Sequence, residues 1–269
     1  MPQPPAPDDS WLRRLTPAAP QQPVRLVCFP HAGGSAGWFR PLARALPPGI
    51  DVLAVQYPGR QDRRREPLIT SVPRLADAAF TALRRELDAP FAFFGHSLGA
   101  VVAFEVARRF EQLTPAGPTR LFASARRAPS VVRDETVHLR DDEGLVAEMV
   151  RLGGTERAVL DDPELRQLVL PVVRADYRAV ETYRATPGAR LTCPVSVLVG
   201  DADPVTPVAD AVPWKAHSTR GTDLHVFPGG HFYLERHTAD VASTVAAALG
   251  TTAGPAARTR GNSPTGAAR

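Results

Sequence analysis

The chain has 269 residues, 43% of them hydrophobic, with a formal net charge of +4 and a pI near 9.6. That length and apolar content suit one α/β domain with a substantial core, and no run approaches membrane-spanning length. The positive charge is almost all arginine spread along the chain, without an aromatic-interleaved basic motif or zinc-ligand spacing, which argues against nucleic-acid binding and against a structural zinc site.

In chain order, residues 1–22 are proline-rich and read as an extended leader, and no signal peptide is evident in them. An apolar strand at Val24–Phe29 runs into the glycine-rich turn Pro30-His31-Ala32-Gly33-Gly34. A helix at Trp38–Leu46 and a strand at Asp51–Gln56 follow, then the arginine-dense run from Arg60 to Arg65, which reads as a solvated loop. A helix at Val72–Leu87 precedes the apolar strand Phe91–Phe94, the segment Gly95-His96-Ser97-Leu98-Gly99 and a helix at Leu98–Phe110. After a strand at Arg120–Ser124 the strand-helix alternation breaks over about 130–191. Helices are expected there at Asp142–Arg151 and Pro163–Tyr183, with apolar stripes through Leu145, Met149 and Leu152 and through Leu165, Leu168, Val169, Val172 and Val173. Strands at Val195–Val199 and Leu224–Phe227 alternate with helices at Val205–Trp214 and Arg236–Ala248, before a small-residue tail at 250–269. The alternation implies a mostly parallel sheet with helices on both faces, occupying residues 23–249, with 130–191 as a helical insertion.

The segment around Ser97 has the Gly-x-Ser-x-Gly form between a buried strand and a helix. That is the setting of a nucleophile elbow, in which glycines let strand and helix approach while the serine takes a strained conformation. The plainer reading is that Ser97 caps its helix. A serine hydroxyl needs a general base, and the base needs a third group to fix its tautomer. Both occur downstream in the order Ser, Asp, His of an α/β-hydrolase: Asp203 in the loop after the strand ending at Val199, and His231 after Pro228-Gly229-Gly230. Asp201 competes for the acid role, although an aspartate at a strand end commonly bonds its own turn. His96 reads as packed beside the elbow, and His217, His225 and His237 as core or surface residues. His31 belongs to the glycine-rich turn, which is like the loop that supplies an oxyanion-hole N–H in such enzymes, so the donors are assigned to the main chain of Ala32 and Leu98. The turn matches no nucleotide-binding glycine pattern.

Six segments taken together are more specific: Pro30-His31-Ala32-Gly33-Gly34, Tyr57-Pro58-Gly59-Arg60, Gly95-His96-Ser97-Leu98-Gly99-Ala100, Arg127-Ala128-Pro129, Gly200-Asp201-Ala202-Asp203-Pro204 and Pro228-Gly229-Gly230-His231-Phe232. In order and spacing they resemble the stand-alone type II thioesterases of polyketide and nonribosomal-peptide assembly lines. The resemblance implies an α/β-hydrolase fold with a helical lid over 130–191 and a triad of Ser97, Asp203 and His231. It also implies hydrolysis of acyl or aminoacyl groups from the phosphopantetheine arm of carrier proteins, clearing mis-primed or stalled synthases. The expected reaction uses no metal or organic cofactor, and the expected partners are carrier-protein domains, with neither nucleic acid nor membrane. Because carrier proteins are generally acidic, a basic rim including Arg63 to Arg65 is a candidate docking surface. Cys28 and Cys193 read as buried free thiols, in line with a cytoplasmic enzyme. A monomer is the working expectation. The alternatives are a general carboxylesterase, an acyltransferase of the same fold, or a binding protein whose proline-rich ends recruit partners.

Overall fold

The computed structural model describes residues 11–17, 24–87, 90–154 and 160–251. Seven strands form one sheet: β1 (Leu12–Arg14), β2 (Val24–Phe29), β3 (Ile50–Val55), β4 (Phe91–His96), β5 (Leu121–Ser124), β6 (Val195–Gly200) and β7 (Thr222–Phe227). Their order is β1-β3-β2-β4-β5-β6-β7, with β2 to β7 parallel and β1 antiparallel against β3. The helices are α1 (Arg40–Ala45), α2 (Val72–Leu83), α3 (Leu98–Leu113), α4 (Asp142–Leu152), α5 (Pro163–Glu181), α6 (Val208–Ala211), α7 (Tyr233–Arg236) and α8 (Thr238–Ala248).

A parallel sheet is stable only when both faces are covered, and the strand sequences show how that is achieved. In β2, Val27 and Phe29 join the core beneath α2 and α3, while the intervening Leu26 and Cys28 join the core beneath α1 and α8. In β4, Phe91 and Phe93 pack on the first side and Ala92 and Phe94 on the second. Over Leu26–Phe29 and Phe91–Phe94 the period-two alternation of a strand is thus filled with apolar residues at every position, which is why these segments read as continuous hydrophobic runs. The insertion between β5 and β6 has a small core of its own, built from Val137, Leu145, Met149, Leu160, Leu170 and Val173. Among the described residues no helix is long and apolar enough to cross a membrane.

Residues 11–17 correct the reading of 1–22 as an extended leader. Leu12–Arg14 pair with Leu53–Val55, and further bonds run from Gln56 N to Trp11 O and from Leu15 N to Val52 O, each 2.8 Å. Trp11 is buried, with the Arg63 guanidinium 4.4 Å above its ring. A three-residue strand has no periodicity for a sequence to display, and here an aromatic anchor and an open sheet edge supply what pattern does not. Residues 1–10 and 18–22 of the leader, and 252–269 of the tail, lie outside the described residues. Trp11→Ala is expected to lower unfolding free energy by about 3–5 kcal/mol. A denaturant midpoint equal to that of the parent chain would show that this edge strand contributes nothing to the core.

Two further expectations are adjusted. The helix expected at Val205–Trp214 begins later, at Val208, because Pro207 disfavours helical backbone at Thr206 before it. On α5, Leu165 and Leu168 are exposed and the buried stripe starts at Leu170, since the first turns of the helix extend past the small core of the insertion.

Candidate active site

β4 ends at His96 and α3 begins at Leu98, leaving Ser97 alone at the turn with φ 55 and ψ −115. Such a conformation costs a residue with a side chain about 1–3 kcal/mol and persists only where its surroundings enforce it. The enforcement is visible in the glycines on either side. A Cβ at Gly99 would lie 1.9 Å from the carbonyl oxygen of Phe29, and one at Gly95 would lie 2.2 Å from that of Gly99. The Ser97 amide is fixed by a 2.8 Å bond to Ser124 O on the neighbouring strand. Its hydroxyl does not cap the helix but meets Nε2 of His231 at 2.9 Å.

His231 follows the turn after β7, and its Nδ1 lies 2.8 Å from Oδ2 of Asp203, whose loop follows β6. The other carboxylate oxygen, Oδ1, accepts the amides of Val205 at 2.8 Å and Thr206 at 3.1 Å. Burial by itself would raise the Asp203 carboxyl, but the bond and charge of His231 together with these two amides outweigh it and hold the group below the usual aspartate range. Asp201 is occupied elsewhere, accepting the Gly229 amide at 2.8 Å from the loop after β7 rather than a bond within its own turn. The three residues singled out in the sequence therefore form one continuous chain of contacts.

The six remaining histidines have other surroundings, His138 meeting Glu181 of α5. His217 is bonded to Ala189 O at 2.7 Å and Ser130 Oγ at 2.9 Å, His225 to Asp223 at 2.6 Å and His237 to Asp240 at 3.2 Å. His96 is fully buried, with Nδ1 2.9 Å from Ser124 Oγ, which in turn meets the Tyr233 hydroxyl at 2.7 Å. His31 packs edge-on against Trp38 and Phe232. Burial first, then the charges of His231 and Arg60, push its pKa down to about 3, so this ring stays neutral beside the triad.

Leu98 follows Ser97 as the first residue of α3 and Ala32 lies in the turn after β2 that lines the Ser97 cavity; among the described residues neither main-chain N–H is bonded to a protein acceptor. The loop carrying Ala32 is held from the insertion, by residues that sequence reasoning missed. Asp176 on α5 accepts the Gly33 amide at 2.7 Å and forms a buried ion pair with Arg60, whose Nε donates to Gly34 O at 2.9 Å. The clue was an acidic residue placed within the apolar face that includes Val172, Val173, Ala179 and Val180. Removing one member of a buried pair strands the other charge, so Asp176→Ala is expected to lose about 3–5 kcal/mol of stability. Urea unfolding would measure it, and a loss below about 1 kcal/mol, the scale of a surface pair, would refute the tie.

The arginine run is also corrected. Arg60 and Arg63 are buried, Arg63 donating to Gln56 O at 2.7 Å and to Glu66, whereas Arg64 and Arg65 are exposed. Gln56 and Trp11 provide the cradle that turns half of a charged loop inward, and Arg64 and Arg65 alone of the proposed rim at 63–65 are available to a partner.

Two cavities meet at His31, Ala32, Leu152, Tyr177 and Phe232. One, about 260 Å³, contains Ser97 and His231 and is roofed by Val137, Leu152 and Val180 of the insertion. The other, about 300 Å³, is lined by Trp38, Met149, Val169 and Val173. The insertion over 130–191 thus covers the triad, and Gly153, at φ 81, ends α4 beside it. A cavity of about 890 Å³ between α2 and the β1 edge touches none of the triad residues, and the convergence of polar groups, not size, marks the site.

Comparison with known proteins places this geometry in a family. The thioesterase domain model matches residues 24–249. A probable cadicidin biosynthesis thioesterase of Streptomyces griseus is 50% identical over 239 residues, covering 89% of this chain and 66% of the relative. Thioesterase PikA5 of Streptomyces venezuelae is 50% identical over 225 residues, covering 83% of this chain and 80% of that protein. Among solved structures, the type II thioesterase BorB from the borrelidin biosynthetic cluster superposes with a TM-score of 0.83 at 48% identity, covering 90% of this chain and 98% of BorB. The chain belongs to the thioesterase domain family, is similar within it to type II thioesterases, and has their α/β-hydrolase fold.

Proposed function

We propose that the protein hydrolyses acyl and aminoacyl thioesters on the phosphopantetheine arm of carrier proteins, clearing mis-primed or stalled polyketide or nonribosomal-peptide synthases. The observation that carries this reading is the position of His231, which touches Ser97 Oγ with one ring nitrogen and Asp203 with the other. A relative named as a thioesterase and structural neighbours named as type II thioesterases of biosynthetic pathways support the substrate class.

In the proposed reaction, His231 Nε2 takes the Ser97 proton as the hydroxyl oxygen attacks the thioester carbon. The imidazolium that forms is stabilised by Asp203, which keeps its charge and holds Nδ1–H in place. Negative charge gathers on the carbonyl oxygen, where the amides of Ala32 and Leu98 are assigned to receive it, aided by the N-terminus of α3. The carbon–sulfur bond breaks, the pantetheine thiol leaves with the proton from His231, and the acyl group remains as an ester on Ser97. Water then attacks that ester by the same route and frees the acid. Fixed amides of this kind contribute about 3 kcal/mol per donor without reorganisation.

We assign the acyl group to the 260 Å³ cavity at Ser97, a volume suited to short chains. Two buried free thiols accord with action in the cytoplasm, and exposed Arg64 and Arg65 offer positive charge to an acidic carrier. The discriminating experiment compares an acyl-pantetheine thioester with its oxygen ester and examines the products by mass spectrometry. Faster release of free acid from the thioester supports the proposal, whereas preference for the oxygen ester or accumulation of an acylated acceptor overturns it.

A further inference from the structure

Arg126 is the unusual group in the cavity that holds Ser97. It stands two residues beyond Ser124, whose carbonyl fixes the Ser97 amide, and it lines the same 260 Å³ space as Ser97 and His231. The chain leaves β5 through Ala125 at φ 50, and the Arg126 carbonyl is tied to Trp214 Nε1 at 2.9 Å, so the backbone here is firmly placed. The side chain is not tied. Arg126 is only 6% exposed, yet among the described residues its guanidinium makes no hydrogen bond or ion pair, and its Nε is buried without a partner.

The surrounding carboxylates are committed elsewhere. Glu135 takes the neighbouring Arg127 in a two-pronged pair at 2.9 and 2.6 Å. Glu148 is paired with Arg151 at 2.6 Å and Arg140 at 3.3 Å. Glu181 accepts the amides of Val137 and His138 at 2.9 and 3.1 Å and also meets the His138 ring. Burial, and secondly the charge of Arg127, push the Arg126 pKa down to about 9, against the opposing pull of Glu135 and Glu181. A small cleft of about 10 Å³ on another side of Arg126 is at the lower limit for one water, leaving the Ser97 cavity as the space able to bring it an acceptor.

A buried guanidinium with unused donors is costly unless something completes it. The binding event at this site delivers an acyl group into the same cavity. We infer that Arg126 is a specificity-determining residue that hydrogen-bonds an oxygen acceptor carried on the acyl chain close to the thioester. The site then favours oxygenated acyl groups over plain hydrocarbon chains of the same shape, because binding the latter buries the cation without an acceptor. The inference rests on the thioester-hydrolase reading, which supplies the acyl group.

The test uses three pantetheine thioesters of nearly one shape: isovaleryl, with no acceptor beyond the thioester; 3-oxobutanoyl, with a neutral carbonyl; and malonyl, with a carboxylate. The parent enzyme is expected to show a kcat/KM at least about tenfold higher for one or both oxygenated substrates than for isovaleryl, on the scale of one charge-assisted hydrogen bond. Which of the two is favoured identifies a neutral or an anionic acceptor. Arg126→Met should abolish the preference, bringing kcat/KM for the three substrates to within about threefold of one another. Arg126→Lys should keep part of the preference by retaining the charge. Both variants are expected to melt no lower than the parent enzyme, since the guanidinium gives up no protein hydrogen bond or ion pair. Equal rates on the three substrates, or a preference unchanged in Arg126→Met, would overturn the inference while sparing the hydrolase reading. A marked fall in melting temperature with the preference unchanged would assign Arg126 a structural role instead. Failure to hydrolyse any of the three would count against the hydrolase reading itself, and the inference would fall with it.

Discussion

Ser97→Ala is expected to fold as the parent chain does and to hydrolyse thioesters about 10⁴- to 10⁶-fold more slowly in kcat, the range seen when a triad nucleophile is removed. Folding should be spared because alanine and serine meet the same steric restriction at φ 55, and the main-chain bond to Ser124 that holds the turn is untouched. Removing Oγ leaves His231 with no hydroxyl to activate, and the acyl-enzyme route closes. The substrate cavity and the amides of Ala32 and Leu98 remain, so KM should change little while kcat collapses. Purified variant and parent, matched by thermal melting, decide the point on one acyl-pantetheine substrate. Retention of more than about one-hundredth of the parent rate would place the nucleophile elsewhere.

Asp203→Asn is expected to lower kcat by about 10⁴-fold, the size of loss found for the analogous change in the serine-protease triad. The geometry gives the reason. Oδ1 of Asp203 is already occupied by the amides of Val205 and Thr206, which are donors and require an acceptor. An asparagine must therefore keep its carbonyl oxygen there and turn its NH₂ toward His231 Nδ1, 2.8 Å away. That nitrogen becomes an acceptor, the ring proton moves to Nε2, and the side facing Ser97 can no longer take a proton. The same preference for a proton on the wrong nitrogen predicts partial recovery at high pH, as hydroxide assists serine deprotonation. A variant with more than one-tenth of parent activity at neutral pH would show that Asp203 does not set the tautomer.

Much of the site was legible before the structure because each part has a local sequence cause. Gly95 and Gly99 flank a serine where strand meets helix, and the structure shows backbone atoms filling the space that side chains would need. Asp203 and His231 each follow an apolar strand, and a parallel sheet brings successive strand ends to one edge. Elements whose cause is tertiary were not legible. The burial of Arg60 depends on Asp176, 116 residues later, and nothing in the local arginine run reveals that partner. Likewise Trp11 folds in because β3 offers an open edge, although its own neighbourhood is rich in proline.

The insertion illustrates both cases. Its helices α4 and α5 follow from apolar spacing, and Asp141 and Asp162 cap them through Gly144, Glu164 and Leu165 amides. Their arrangement over Ser97, with Asp176 reaching down to the Gly33 amide, depends on contacts with loops far away in sequence. On the proposed mechanism, an insertion that covers Ser97 and also holds the Ala32 loop couples coverage of the substrate to the position of the amides assigned to the oxyanion.

The most direct test of the central claim is deacylation of a propionyl-loaded carrier protein, followed by intact mass spectrometry with parent enzyme and Ser97→Ala side by side. The predicted result is conversion of the acyl carrier to its free-thiol form by the parent enzyme, with propionate released and the variant inert. An acyl carrier left intact by the parent enzyme, or deacylated equally well by the variant, would contradict the account.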